Sequence, residues 1–392
     1  MYYFIVLYLC NFLDLTIGNG IFPLLPVYAA QFGATPGLIG IYLACANIAI
    51  VLGSILGGWL SDHLQKRKLL YIICTILNMF LFFLVGRVTS IWQLILITAI
   101  IWFAGGIKLT MLLTLLGLYV KKSKRRSAFL ILTLTGTFGV IVGGLTFGLI
   151  ADIWSYPSLF NIIGLSMVLL LGLTFFIREI RIQKKTNSEN QVIGIAAFPK
   201  VFYKFLLINT VAGIGASIFV VGRSIVMYNL NLTSTNISHT SAIGAIVSVP
   251  LILTINWLFN HFSHKKFLVI ALALEFLFLI ILGNATSLWH FWLGSILMVL
   301  YYNLLQSAGK TITTDLIPKK SLGKGLSFFA TSGWIGFIIG PLLVGFGIEK
   351  LGFNYPFYIA LILPIVAFIF LWRLKIKKTV PTENIYTDST LF

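Results

Sequence analysis

The sequence predicts an all-α integral membrane protein: twelve transmembrane helices in two pseudo-symmetric six-helix bundles. Three observations predict it. The chain is mostly apolar: of 392 residues, 59% are hydrophobic and 10% charged, where a soluble domain carries about 25% charged. Apolar stretches recur at membrane-spanning length, as at 69–86 and 267–283, close to the ~20 residues a helix needs to cross hydrocarbon. The second half also repeats the first at a spacing of 198 residues. Trp59-Leu60-Ser61-Asp62-His63 returns as Trp257-Leu258-Phe259-Asn260-His261, and Lys121-Lys122-Ser123 as Lys319-Lys320-Ser321. One residue out of register, Gly139, Gly143 and Gly148 return as Gly336, Gly340 and Gly345, and Asp152 as Glu349.

In lipid the backbone must satisfy its own hydrogen bonds, which leaves helices or a closed barrel. Both residue parities are apolar here, so the alternation of a barrel is missing. The predicted spans are 3–29, 37–60, 69–87, 92–119, 127–151, 157–177, 202–227, 240–260, 267–284, 289–315, 326–348 and 355–373. They use up nearly the whole chain and leave no stretch for a soluble catalytic domain, so the reading is not an enzyme. The apolar start at Tyr2 lacks basic residues and a cleavage site and reads as the first span. The longest polar connection joins the repeats, giving an N-terminal bundle 1–178, a linker 179–200, a C-terminal bundle 201–378 and a tail 379–392. An even number of spans separates the copies, so both share one orientation.

The net charge is +18, and 23 of the 28 Lys and Arg fall in even-numbered loops and the tail. The positive-inside rule then puts those loops and both termini in the cytoplasm, with the protein in the plasma or inner membrane. The basic excess is a topology signal and calls for no nucleic acid. Cys10, Cys45 and Cys74 lie within spans without metal spacing, so no metal and no disulfide framework is expected. No P-loop is present, which argues against direct use of ATP, and no cofactor is implied.

At the junction of the second and third spans stands Gly58-Trp59-Leu60-Ser61-Asp62-His63-Leu64-Gln65-Lys66-Arg67. It resembles the major facilitator superfamily loop G-x-L-x-D-[RK]-x-G-[RK]-[RK]. Gly58, Leu60, Asp62, Lys66 and Arg67 match, while His63 and Gln65 depart from the pattern. With twelve spans, inside termini and a central linker, the resemblance covers essentially the whole chain. It implies a secondary transporter whose halves rock around a central cavity. In that scheme Gly58 allows close helix approach, and Asp62 with Arg67 latches the cytoplasmic side.

Asp14-Leu15-Thr16-Ile17-Gly18, followed by Pro23-Leu24-Leu25-Pro26-Val27-Tyr28, is similar to the first span of drug–proton antiporters in that superfamily. Asp14 lies near mid-span, where a carboxylate costs several kcal/mol unless paired, hydrated or protonated. It is the expected proton-coupling residue, against a plain structural ion pair. Lys108 lies near the middle of the fourth span.

The resemblance implies that spans one, four, seven and ten line the cavity. Asn11, Asp14 and Gly18 share one stripe, as do Asn303, Gln306 and Lys310. Asn11, Lys108, Asn209, Asn303, Gln306 and Lys310 are the expected substrate contacts, although Lys310 could pair with Asp315. Arg223 is expected to snorkel toward the outer surface, and Glu275 either packs or titrates. Gly139, Gly143, Gly144 and Gly148 resemble the antiporter motif G-x-x-x-G-P-x-x-G-G, with Gly144 in place of the proline and Phe147 in place of a glycine. Small residues at this spacing are expected to pack helices.

The favoured function is proton-coupled efflux of a small organic solute by a monomer in the lipid bilayer. Proton-coupled uptake of a nutrient or organic anion is the alternative. A transport-inactive scaffold or receptor is a third class.

Overall fold

The computed structural model describes residues 2–120, 124–179, 198–261, 264–317 and 321–374. All regular structure among them is helical. Residues 180–197 of the expected linker and the expected tail 379–392 lie outside the described residues.

The twelve spans are present as helices, all but the eighth within a few residues of their predicted ends. The first runs Tyr2–Ile21, turns through a short 3-10 segment at Phe22–Leu24, and continues as Leu25–Gln31. Pro23 and Pro26, which lack N–H groups, account for that change of winding. The next five are Pro36–Leu64, Arg67–Val85, Ile91–Tyr119, Arg125–Trp154 and Tyr156–Phe175. The second half follows with Lys200–Asn229, Ser234–His261, His264–Gly283, Leu288–Leu316 and Leu322–Leu351. The last span is Tyr355–Ala360 continued by Ile362–Arg373, where Pro364 cannot bond back to Ala360. Among the described residues, eleven of the spans are long and apolar enough to cross a membrane.

The eighth span starts at Ser234, six residues before its expected start at 240. Residues 234–239 are mostly polar, which hides them from a hydropathy reading. They are helical because a carboxylate from the other half caps them, as described below.

The two halves pack alike. Span one lies against five and span two against four, and their copies repeat this as seven on eleven and eight on ten. Between the halves, five packs on eight and eleven on two. Asn11 Nδ2 donates to the Leu132 carbonyl at 2.9 Å and to Thr135 Oγ1 at 3.1 Å. Its copy Asn209 donates to the Phe329 carbonyl at 2.9 Å and to Ser332 Oγ at 2.8 Å. Each asparagine thus fastens the first helix of its half to the fifth.

The glycine run in the fifth span serves two neighbours. A Cβ on Gly139 or Gly143 would run into the backbone of span one at Phe12 or Thr16. On Gly144 or Gly148 it would meet span eight at Ala242 or Ser234. The motif therefore packs one face within its half and the other across the domain interface.

Candidate functional site

Three spans of the first half bring their polar groups together near mid-span. Lys108 is ion-paired with Asp14, and the Tyr71 hydroxyl donates to the other carboxylate oxygen. The Lys108 ammonium also lies 5.4 Å from the centre of the Tyr71 ring. The Lys108 side chain is 3% exposed and that of Asp14 is 22% exposed. Two charges removed from water persist only if each is paired and hydrogen-bonded, and this arrangement supplies both.

The pair stands in the wall of a cavity of about 320 Å³. Its walls are mainly apolar and aromatic, from Phe82, Trp102 and Phe160 of the first half, with Tyr302 and Trp334 from the second. Asn78 and Lys108 also line it. Both halves therefore contribute to its wall.

The structure distributes the expected contacts unevenly. Asn11 borders the cavity, but its amide donor is spent on the fifth span. Asn209 is 1% exposed and away from the cavity. Asn303 donates to the Val299 carbonyl in its own helix. Gln306 and Lys310 follow Tyr302 at four-residue steps, so they continue the cavity-facing stripe of span ten toward the end rich in Lys and Arg. Lys310 is exposed, and no pair between it and Asp315 is present among the described residues.

Arg223 does not snorkel. It is 6% exposed and donates to Ser295 Oγ at 2.6 Å and Ser241 Oγ at 2.8 Å. Two serines from spans ten and eight reach it inside the bundle, so its charge is hydrogen-bonded there. Glu275 is fully buried against Gly215, and neither carboxyl oxygen has a partner among the described residues.

The two ends of the bundle differ sharply. At the end poor in Lys and Arg, Asp152 accepts from the Ser234 amide at 3.0 Å and the Thr235 amide at 2.7 Å. Its copy Glu349 accepts from the Gly37 amide at 2.8 Å and from Thr35 Oγ1 at 3.0 Å. Each acid ends a helix of one half and caps the start of a helix in the other, where free N–H groups and the helix dipole favour a carboxylate. Further in, Ser238 Oγ donates to the Gly144 carbonyl at 2.6 Å, and Asn47 Nδ2 to the Phe337 carbonyl at 2.8 Å.

At the basic end the expected latch is not formed. Asp62 is exposed without a partner among the described residues. Arg67 is buried and donates to Ser61 Oγ at 2.8 Å within its own half. Gly58 has nothing within 4 Å of where a Cβ would stand, so it makes no close helix approach in this arrangement. Gly53 and Gly57 do so instead, against Phe103 and Ile107 of span four.

Tyr71, Asn78 and Trp102 were not among the residues singled out from sequence. A signal existed for two of them: Tyr71, Thr75 and Asn78 form the polar stripe of an otherwise apolar third span, and all three are buried. The indole of Trp102 gives no such sign.

The sequence profile of the Major Facilitator Superfamily matches residues 5–219 and again 205–388. Multidrug resistance protein MdtG of Salmonella arizonae is 23% identical over 379 residues, covering 93% of each chain. The protein of that name from Citrobacter koseri is 24% identical over 339 residues, covering 82% of each. Among solved structures, the nucleoside transporter NupG superposes with a TM-score of 0.78 at 18% identity, over 95% of this chain and 98% of that one. The peptide transporter POT in complex with sulfate gives 0.77 at 14% identity, over 95% and 94%. A bacterial homolog of the lysosomal transporter Spinster, inward-facing and unoccupied, gives 0.73 at 15% identity, over 95% and 96%. At these identities the structures show a shared fold and no shared cargo.

Proposed function

The chain belongs to the Major Facilitator Superfamily, and from that premise we propose that it exports a small organic compound in exchange for protons. The observation that carries this reading is the Asp14–Lys108–Tyr71 cluster in the cavity wall. It is supported by relatives named multidrug resistance proteins along most of the chain.

The chemistry follows from what the pair can exchange. A cargo bearing a cationic or strongly donating group competes with both Lys108 and a proton for the Asp14 carboxylate. Proton and cargo then occupy the site in turn, which is the condition for antiport. Protonation of Asp14 from the outer side displaces cargo, and release of that proton inside readies the site again. Each exchange moves one charge within the cavity, and a few kcal/mol suffices to bias two arrangements of the halves.

With the basic end in the cytoplasm, the clasped end is the outer one. In this reading the Asp152 and Glu349 caps hold the outer side shut, as an inward-facing state requires. Asp62 and Arg67 would engage only when the inner side closes. Within the cavity Tyr302 and Trp334 report cargo to the second half, and Gln306 with Lys310 lines its route from the cytoplasm. Asn11 and Asn209 hold helices together. The protein works in this scheme as a monomer in the inner or plasma membrane.

Lys108 supports a second reading. If a proton on Asp14 frees Lys108 to receive an anion, proton and cargo bind together and the protein is a symporter for uptake. One measurement separates the two: the pH of a weakly buffered solution of purified protein as a transported compound is added. Antiport predicts proton release on binding, and symport predicts proton uptake. No proton exchange with any bound cargo sinks both.

A further inference from the structure

Five tyrosines are buried among the described residues: Tyr28, Tyr42, Tyr71, Tyr156 and Tyr301. Four of them spend their hydroxyls on neutral groups. Tyr28 and Tyr301 donate to the carbonyls of Val85 and Ala212, and Tyr42 and Tyr156 pair with the hydroxyls of Thr98 and Ser234. Tyr71 donates to a carboxylate, that of Asp14. It touches Lys108 as well, through the face of its ring. At the repeat offset Asp14, Tyr71 and Lys108 become Ala212, Val269 and Gln306. The second half thus lacks all three, although it keeps the packing asparagine and the end acid. The hydroxyl is present where the charge pair is and absent where it is not.

The two partners of Asp14 differ in what they can do. An ammonium only donates, so Lys108 serves an oxygen that bears no proton. A phenol hydroxyl donates or accepts, so Tyr71 can bond the carboxyl group with or without its proton. The Cys10 thiol lies beside the same hydroxyl, one helical turn before Asp14, and its sulfur can accept the hydroxyl when that turns away. Cys74 stands near Lys108. Spans five, six and eight also touch span one, and none carries a charged or titratable residue in mid-span. Tyr71 is therefore placed to hold Asp14 through a change of charge that Lys108 cannot follow.

We infer that Tyr71 is the positioning residue of the proton exchange: its hydroxyl holds Asp14 in both protonation states and sets the pH range in which the carboxyl gives up its proton. A proton from the cavity settles on Oδ2, the Tyr71 O–H swings to the Cys10 sulfur, and the phenol oxygen accepts from the new O–H. Loss of the proton reverses both moves. The inference rests on the reading of Asp14 as the coupling acid and adds the residue that tunes it. Donation to the charged carboxylate favours that form, so a chain without the hydroxyl should take up the proton at higher pH.

The test reads Asp14 directly, as the infrared C=O band of a protonated carboxyl in the purified full-length protein, titrated with pH. Asp14→Asn identifies the band by removing it. Tyr71→Phe keeps the ring under Lys108 and should move the midpoint of the band upward by about one pH unit, tenfold in proton affinity. The band itself should move to higher frequency, as a carbonyl does on losing a hydrogen bond. A residue that merely fills space would change neither, because phenylalanine fills the same space. Should Tyr71→Phe misfold, as judged by elution and melting, the parent protein with isotope-labelled tyrosine answers the same question. A phenol C–O mode should then change in step with the carboxyl band.

An unmoved midpoint in folded Tyr71→Phe, a midpoint moved downward, a phenol mode indifferent to the transition, or no Asp14-dependent band would each overturn the role of Tyr71. The first three leave export standing, because the band shows Asp14 exchanging its proton all the same. Cargo that binds without proton release, with the Tyr71→Phe shift intact, removes export and keeps the role of Tyr71.

Discussion

The two halves of this transporter share their joinery and differ in their chemistry. Asn11 and Asn209 make the same two-bond fastening. Asp152 and Glu349 cap opposite helices in the same way. Even Lys68, whose ammonium reaches the Phe175 carbonyl, is repeated by Lys265 on that of Trp372. At mid-span the copies part. Where the first half has Asp14 and Lys108, the second has Ala212 and Gln306 at the same offset. The packing contacts recur in both halves, while the buried charged pair stands only in the first. A second pair would cost desolvation again.

The largest expected effect lies in that difference. Lys108→Met leaves Asp14 without its counter-charge in a mostly buried setting, and loss of one member of such a pair costs about 3–5 kcal/mol. Adding Asp14→Asn should recover most of the loss, as read by melting of the purified variants. A double variant no better than the single one would mean that the pair is not what stabilises this region.

The shared joinery should respond alike in both halves. Asn11→Ala and Asn209→Ala are each expected to lower stability by about 1 kcal/mol, in the usual range for helix-to-helix hydrogen bonds in membranes. Cargo affinity should change little in either variant. A selective loss of affinity in Asn11→Ala would restore that residue as a cargo contact and break the symmetry argued here.

The end caps give a smaller, directional effect. Asp152→Asn and Glu349→Gln each weaken a charge-to-helix-end contact, for about 0.3–1 kcal/mol apiece. Their combination should raise the outward-open population, measured as distance distributions between spin labels on the two halves. An unchanged distribution in the double variant removes the clasp from the mechanism.

Smallest of all is Glu275→Gln. The carboxyl is sealed without partners among the described residues, so a neutral isostere should keep flux within about twofold of the parent. A large loss of gradient-driven flux would give the second half a coupling acid of its own.

Much of this was legible in the sequence. Span number, the repeat and the even-loop charge bias follow from hydropathy and position, and they led to the right family. Asp14 and Lys108 stood out because a charge in mid-span is costly enough to be noticed alone. The fate of Asn303 and Asn209 was not legible, since an amide on a plausible stripe can face a cavity or a neighbouring carbonyl. Gly58 and Asp62 were read for a closed inner side, whereas here Gly58 makes no close approach and Asp62 has no partner among the described residues. Tyr71, Asn78 and Trp102 depended on how the third and fourth spans turn toward each other, which no single-span pattern carries.

The central claim is that Asp14 couples cargo movement to protons, and the most direct measurement compares two kinds of flux in proteoliposomes containing Asp14→Asn. Counterflow, which needs no gradient, should persist, while accumulation driven by a pH gradient should fall to background. Gradient-driven accumulation at the parent level in this variant would contradict the account.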